Sequence, residues 1–200
     1  MGNWVYALTP LAYLLGTFPS AVLVARRRGV DILHTGSGNP GASNTARTIG
    51  ARWGVLVFVL DGLKGAIPAA VGLALGSRGG AYALVGGATL GHMYPVTRRA
   101  GKRFRGGKGV ATVGGSMFVL EPIVSLVLLG VWFAVSRLTR KASLGSIAIV
   151  VLLPAGAALR GAATWELAAM CALGALVLAK HWGNIQRLIS RQELSLDKNR

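Results

Sequence analysis

Residues 53–75 read WGVLVFVLDGLKGAIPAAVGLAL. As a helix these 23 residues rise about 35 Å, enough to cross a hydrocarbon core roughly 30 Å thick. Only Asp61 and Lys64 are charged, and they stand three apart on one helix face, where each can neutralise the other. The stretch is expected to cross a membrane with a structural ion pair inside it, so the rest of the chain is read with lipid as its solvent.

Outward from this run, the spans 4–25, 81–96, 110–120, 122–135, 144–159 and 165–179 are also apolar. The run 110–120 is short, rising about 16 Å, so it either re-enters the membrane or borrows turns from its flanks. The first run lacks a basic leader and a small-residue cleavage site, and it ends in Arg26-Arg27-Arg28, as a retained span would. Hydrophobic residues make up 52% of the 200-residue chain and charged ones 14%, leaving more apolar surface than a soluble domain of this size buries.

The net charge of +16 raises nucleic-acid binding, but the basic residues sit in short clusters between apolar runs. No polar domain with a basic face is left once those runs are removed, which excludes a nucleic-acid module. With seven crossings and the amino terminus outside, all of the 22 Lys and Arg residues except Lys64, Arg78 and Arg160 fall in cytoplasmic segments, as the positive-inside rule requires. The expected fold is therefore all-α: a polytopic membrane protein of seven transmembrane helices with cytoplasmic re-entrant or loop motifs, forming a single domain over residues 1–200. Cys171 has no second cysteine to pair with. Three histidines in separate regions make no recognisable metal-ligand set, and no Ser-His-Asp spacing is present.

Three polar constellations carry chemistry. Gly36-Ser37-Gly38-Asn39-Pro40-Gly41-Ala42-Ser43-Asn44-Thr45-Ala46-Arg47 packs glycines and small polar side chains beside an arginine. It is either an anion site of backbone N–H groups with Arg47 as a bidentate partner, or a turn that caps the next helix at Ser43 or Asn44. Arg105-Gly106-Gly107-Lys108-Gly109 runs directly into the apolar stretch 110–120. Free N–H groups at a helix start with a lysine alongside make a phosphate cradle, a reading favoured over a lipid-headgroup contact, which needs no glycines around its lysine. The Walker spacing is absent. In His181-Trp182-Gly183-Asn184-Ile185-Gln186-Arg187, the residues His181, Asn184 and Arg187 recur every three positions and share a face, while Trp182 and Arg187 also suit an interfacial helix. Gly87 and Gly91 before His92 suggest close helix packing, and His34 is a loop histidine without an evident partner.

Taken together, SGNPGASN with Arg47, GHMYPV with FRGGKGVAT, and HWGNIQRL resemble the bacterial acyl-phosphate-dependent glycerol-3-phosphate acyltransferases over nearly the whole chain, the DGLKG at Asp61 and the SLG at Ser143 included. Ser43 replaces a common threonine and Arg105 a common lysine. The resemblance implies a seven-helix enzyme of the bacterial plasma membrane with its site on the cytoplasmic face and no cofactor. It implies transfer of a fatty acyl group from long-chain acyl phosphate to the 1-hydroxyl of sn-glycerol 3-phosphate, giving lysophosphatidate for phospholipid synthesis. Carried over motif by motif, Ser37, Arg47, Lys108, His181 and Asn184 would be catalytic. Asn39, Ser43, Asn44, Gly106, Gly107, Gly109 and Ser143 would bind substrate.

Two rivals fit less well. A CDP-alcohol head-group transferase needs several metal-binding aspartates, and this chain has only Asp31, Asp61 and Asp197. An anion transporter would explain basic loops and intramembrane charge, but the hydropathy pattern shows no repeat.

Overall fold

The computed structural model describes residues 3–100 and 103–196. The chain divides into two compact units, Met1–Leu120 and Glu121–Arg200.

In the first unit a 3-10 turn, Asn3–Leu8, leads into α1 (Thr9–Gly16) and α2 (Ser20–Arg26). The first apolar run is thus broken, because Pro19 has no N–H to continue the helix and disfavours helical backbone at Phe18. Then come α3 (Ala42–Ile49), α4 (Ala51–Leu75), α5 (Arg78–Met93), a minimal two-residue pairing of β1 (Arg99–Ala100) with β2 (Arg103–Phe104), and α6 (Val110–Leu120). The second unit holds α7 (Pro122–Thr139), α8 (Ala142–Leu159), α9 (Thr164–Lys180) and α10 (Trp182–Ile189).

Among the described residues, four segments are long and apolar enough to cross a membrane: Trp4–Arg26, Ala51–Leu75, Pro122–Thr139 and Ala142–Leu159. Val110–Leu120 is a shorter apolar helix. Leu126, Val127, Val55 and Phe133 on these helices are exposed, as lipid-facing side chains would be.

Lipid tails offer no hydrophobic drive between helices, so backbones approach through small residues. A Cβ on Gly65 would strike the Thr112 carbonyl, and one on Gly115 the Gly62 carbonyl, which locks α6 against α4. The same contacts set the start of α6 beside the middle of α4, not its end. On the other side, Gly91 meets Tyr13, Gly87 meets Thr9 and Gly16 meets Ala88, so α1 and α5 are equally close. The packing expected from Gly87 and Gly91 is what forms. Asp61 and Lys64 also pair as expected, at 2.6 Å and both about 3% exposed.

In the second unit α7 and α8 form a hairpin whose turn uses Arg140 at φ 57°. Trp132 donates its indole N–H to Ser146 across it, and a Cβ at Gly145 would meet Ser136.

Candidate functional site

Asn44 decides the shape of the first loop. It does not cap α3, whose start at Gly41 has no side-chain cap at all, so the capping alternative is set aside. Buried to 2% exposure, its amide turns back: Oδ1 accepts the Ser37 N–H at 2.9 Å, while Nδ2 donates to the carbonyls of Thr35 at 2.9 Å and Ile32 at 3.3 Å. One side chain therefore satisfies three backbone groups of a loop with no strand or helix to pair with. Ser37 is left exposed on that loop, and its Oγ accepts the Asn39 N–H at 3.4 Å. Asn39, Ser43 and Arg47 are half-buried.

His34 was expected without a partner and has two. Its Nδ1 faces Asp31 Oδ2 at 2.7 Å, and its Nε2 accepts from the Arg105 guanidinium at 3.0 Å. A ring that accepts at Nε2 carries its proton on Nδ1, so it donates to Asp31 and links the first loop to the residue that opens the second. The His34 hydrogen bond, followed by that of the Leu33 N–H, holds the Asp31 carboxyl below its ordinary value.

The second loop rests on the carboxyl end of α5. Gly107 N–H donates to the His92 carbonyl at 3.1 Å. Added Cβ atoms at Gly106, Gly107 and Gly109 would strike, respectively, the backbone of His92 and Met93, the His92 ring, and the Met93 side chain, and Gly109 also lies at φ 85°. The glycines are required on this packed side, a reason the sequence did not disclose. Val113 N–H returns to the Gly109 carbonyl at 2.8 Å, so α6 begins directly on the loop with Lys108 half-buried beside it. The positive end of the helix and the lysine together make an anion-favouring locus.

In the second unit the helix breaks at His181 (φ −93°, ψ 2°), which ends α9 and starts α10. His181 is 3% exposed, and its Nδ1 donates to the Val177 carbonyl at 2.8 Å. Asn184 N–H donates to the His181 carbonyl at 2.8 Å, so the two do share a turn. Trp182 is 62% exposed, as an interfacial anchor would be.

The residue that organises this unit is Glu193, which sequence reasoning missed. Its Oε1 accepts from Asn184 Nδ2 at 2.6 Å and from Ser143 Oγ at 2.8 Å, and Oε2 from Arg187 Nε at 2.9 Å. The Lys141 ammonium donates to its backbone carbonyl. The turn that brings it there puts Arg191 at φ 59°, a conformation costing a non-glycine residue roughly 1–2 kcal/mol. In a chain with 22 basic and six acidic residues, an acid just beyond a basic helix was the available signal.

Burial alone would raise the Glu193 carboxyl, but hydrogen bonds from Asn184, Ser143 and Arg187, with the charge of Arg187, hold it below its ordinary value of 4.5. A depressed folded-state pKa gives stability that is present above the unfolded value and lost as pH falls through the lower folded value. Pepsin nicking of the segment 190–196 in detergent should therefore be slow above the ordinary value of 4.5 and accelerate as pH falls below it. Equal rates on both sides of that value, after correction for pepsin activity, would contradict this.

Several apolar helices with basic, glycine-bearing loops define an integral membrane protein. Within that class the chain belongs to the glycerol-3-phosphate acyltransferase family, whose model, described as "Glycerol-3-phosphate acyltransferase", matches residues 6–191. It is 39% identical over 188 residues to the glycerol-3-phosphate acyltransferase of Aquifex aeolicus (strain VF5), covering 93% of this chain and 96% of the relative. Against that of Myxococcus xanthus (strain DK1622) the identity is 40% over 190 residues, covering 94% and 97%. It is also similar to the crystal structure of PlsY (YgiH), an integral membrane glycerol 3-phosphate acyltransferase, in its glycerol 3-phosphate form, with TM-score 0.89, 36% identity and 96% of each chain covered. The lysophosphatidic acid form gives TM-score 0.86 at 36% identity, covering 98% and 97%.

Proposed function

We propose that this chain acylates the 1-hydroxyl of sn-glycerol 3-phosphate with acyl phosphate as donor, releasing lysophosphatidate and inorganic phosphate. The observation that carries this is family membership along nearly the whole chain, with relatives solved in glycerol 3-phosphate and lysophosphatidic acid forms. In the reaction the acyl carbon leaves the phosphate oxygen for the glycerol oxygen, and the hydroxyl proton goes to a base or to the departing phosphate. The donor is already activated, so the protein chiefly holds anions and stabilises the developing oxyanion.

Lys108, Arg47, Ser37 and the N–H groups of Gly106 and Gly109 are assigned to the phosphates and the oxyanion, with Gly107 shaping the loop through its hydrogen bond to the His92 carbonyl. Asn39 and Ser43 lie on the same first loop, and Asn44 acts through the shape it imposes on that loop. In the second unit His181 and Asn184 are assigned to the acceptor hydroxyl, and Asn184 and Ser143 are oriented by Glu193. An open apolar groove of about 530 Å³, lined by Leu14, Leu15, Phe18, Val22 and Leu23 together with Arg26 and Thr97, suits an acyl tail with a polar end.

The donor assignment is tested by giving purified protein radiolabelled glycerol 3-phosphate with each donor in turn. Soluble-donor acyltransferases use an HxxxxD motif, and five residues beyond His34, His92 and His181 stand Asn39, Thr97 and Gln186. Product from acyl phosphate alone is expected. Comparable rates with acyl-CoA would overturn the assignment, and no product from any donor would overturn the enzyme reading.

We propose seven crossings and a cytoplasmic site for the whole chain, supported by the charge parity. In a Cys171→Ser background, impermeant thiol reagents added to intact cells should label Arg160→Cys but neither Thr97→Cys nor Gln192→Cys. Labelling of either of the last two would sink the topology. Lys102, Lys198 and Arg200, which the parity also counts, lie outside the described residues.

A further inference from the structure

The charged cluster inside the first unit has no part in the reaction as described above. Lys64 Nζ donates at 2.6 Å to both Asp61 Oδ1 and the Phe18 carbonyl, the latter made accessible by the break between α1 and α2. The same ammonium lies 3.5 Å from His92 Nδ1, nearer than Asp61 Oδ1 at 3.8 Å. With a cation facing Nδ1, the ring proton resides on Nε2. That Nε2 edge is what a Cβ on Gly107 would strike first, and the His92 carbonyl accepts the Gly107 N–H. Asp61, Lys64 and His92 are each no more than 5% exposed. Ionisable groups at this depth are costly and are kept for a task, and an ion pair that only cancelled itself would not require a histidine between it and a loop.

We propose that Asp61, Lys64 and His92 form a buried positioning relay that fixes the height and orientation of the Gly106–Gly109 loop, and so sets affinity for the phosphate of the acceptor. Asp61 and the Phe18 carbonyl anchor Lys64, Lys64 holds the His92 ring, and the ring edge is the floor on which Gly107 lies. None of the three touches substrate. The proposal rests on the reading of this loop as the glycerol-phosphate cradle.

The test measures KM for glycerol 3-phosphate, kcat at saturating acyl phosphate, and thermal unfolding of the purified full-length chain. Gly107→Ala is the reference, expected to raise the acceptor KM. If it does not, the loop reading falls and the relay with it. The deciding variant is the double Asp61→Asn, Lys64→Met, which leaves no buried charge unpaired. Its unfolding should stay near wild type while the acceptor KM rises about tenfold or more and the KM for acyl phosphate moves little. A wild-type acceptor KM in that folded variant, with Gly107→Ala impaired, overturns the relay alone. Should the double variant not fold, His92→Ala against His92→Gln decides: Gln restores a polar group at the Nε2 position and should recover most of the acceptor KM, whereas equal KM values would overturn the proposal.

Discussion

Lys108→Ala is expected to lower kcat/KM by roughly 100- to 1,000-fold, the usual cost of removing one charged or hydrogen-bonding group that stabilises an oxyanion or phosphate. Lys108 is half-buried at the start of α6 between two glycines, where its ammonium adds to the positive end of the helix. Lys108→Arg should recover only part of the loss, because a planar fork does not place its charge where a compact ammonium does. Steady-state kinetics on both variants check this, and a loss of only a few-fold in Lys108→Ala would move the anion-binding role to Arg47.

Glu193→Gln should destabilise the second unit by about 2–3 kcal/mol, the range for leaving buried donors without their charged acceptor. The carboxylate takes three side-chain hydrogen bonds, and an amide of the same shape keeps one acceptor oxygen and presents donors to donors. Arg187→Ala should be milder, within about 1 kcal/mol, since the Arg187 side chain is 38% exposed and water screens its share. Unfolding in detergent, followed by intrinsic tryptophan fluorescence, measures both. Equal stability of wild type and Glu193→Gln would mean that the tail contributes nothing to holding Ser143 and Asn184.

The membrane character was readable from residues 53–75 because length and apolarity alone decide it, and the Asp61–Lys64 pair followed from helical spacing. Helix contacts at Gly87 and Gly91 were readable for the same reason, since small residues in lipid have few other uses. The break at Phe18-Pro19 carried a local signal as well, but the continuous apolar run from Trp4 overrode it. What spacing could not show was direction. A cap at Asn44 was one of two readings, and the side chain in fact faces its own loop, while the packing of the three glycines against α5 left no mark in their spacing. Partners distant in the chain were also hidden: His34 and Arg105 are 71 residues apart, and Ser143 and Glu193 are 50 apart.

The turn Asp61-Gly62-Leu63-Lys64-Gly65 is spoken for on nearly every side. Gly65 admits no larger side chain against α6, and Asp61 and Lys64 can change only together, while a Cβ at Gly62 would meet the Ala111 carbonyl at an ordinary 3.7 Å and Leu63 is open, at 44% exposure. Neutral drift in this turn is confined to those two positions, a small side chain at Gly62 and any apolar one compatible with lipid at Leu63. At the other three, an accepted change must arrive as a coordinated pair or be matched by a change across the helix contact. A change at Asp61, Lys64 or Gly65 is therefore never a change at one position alone.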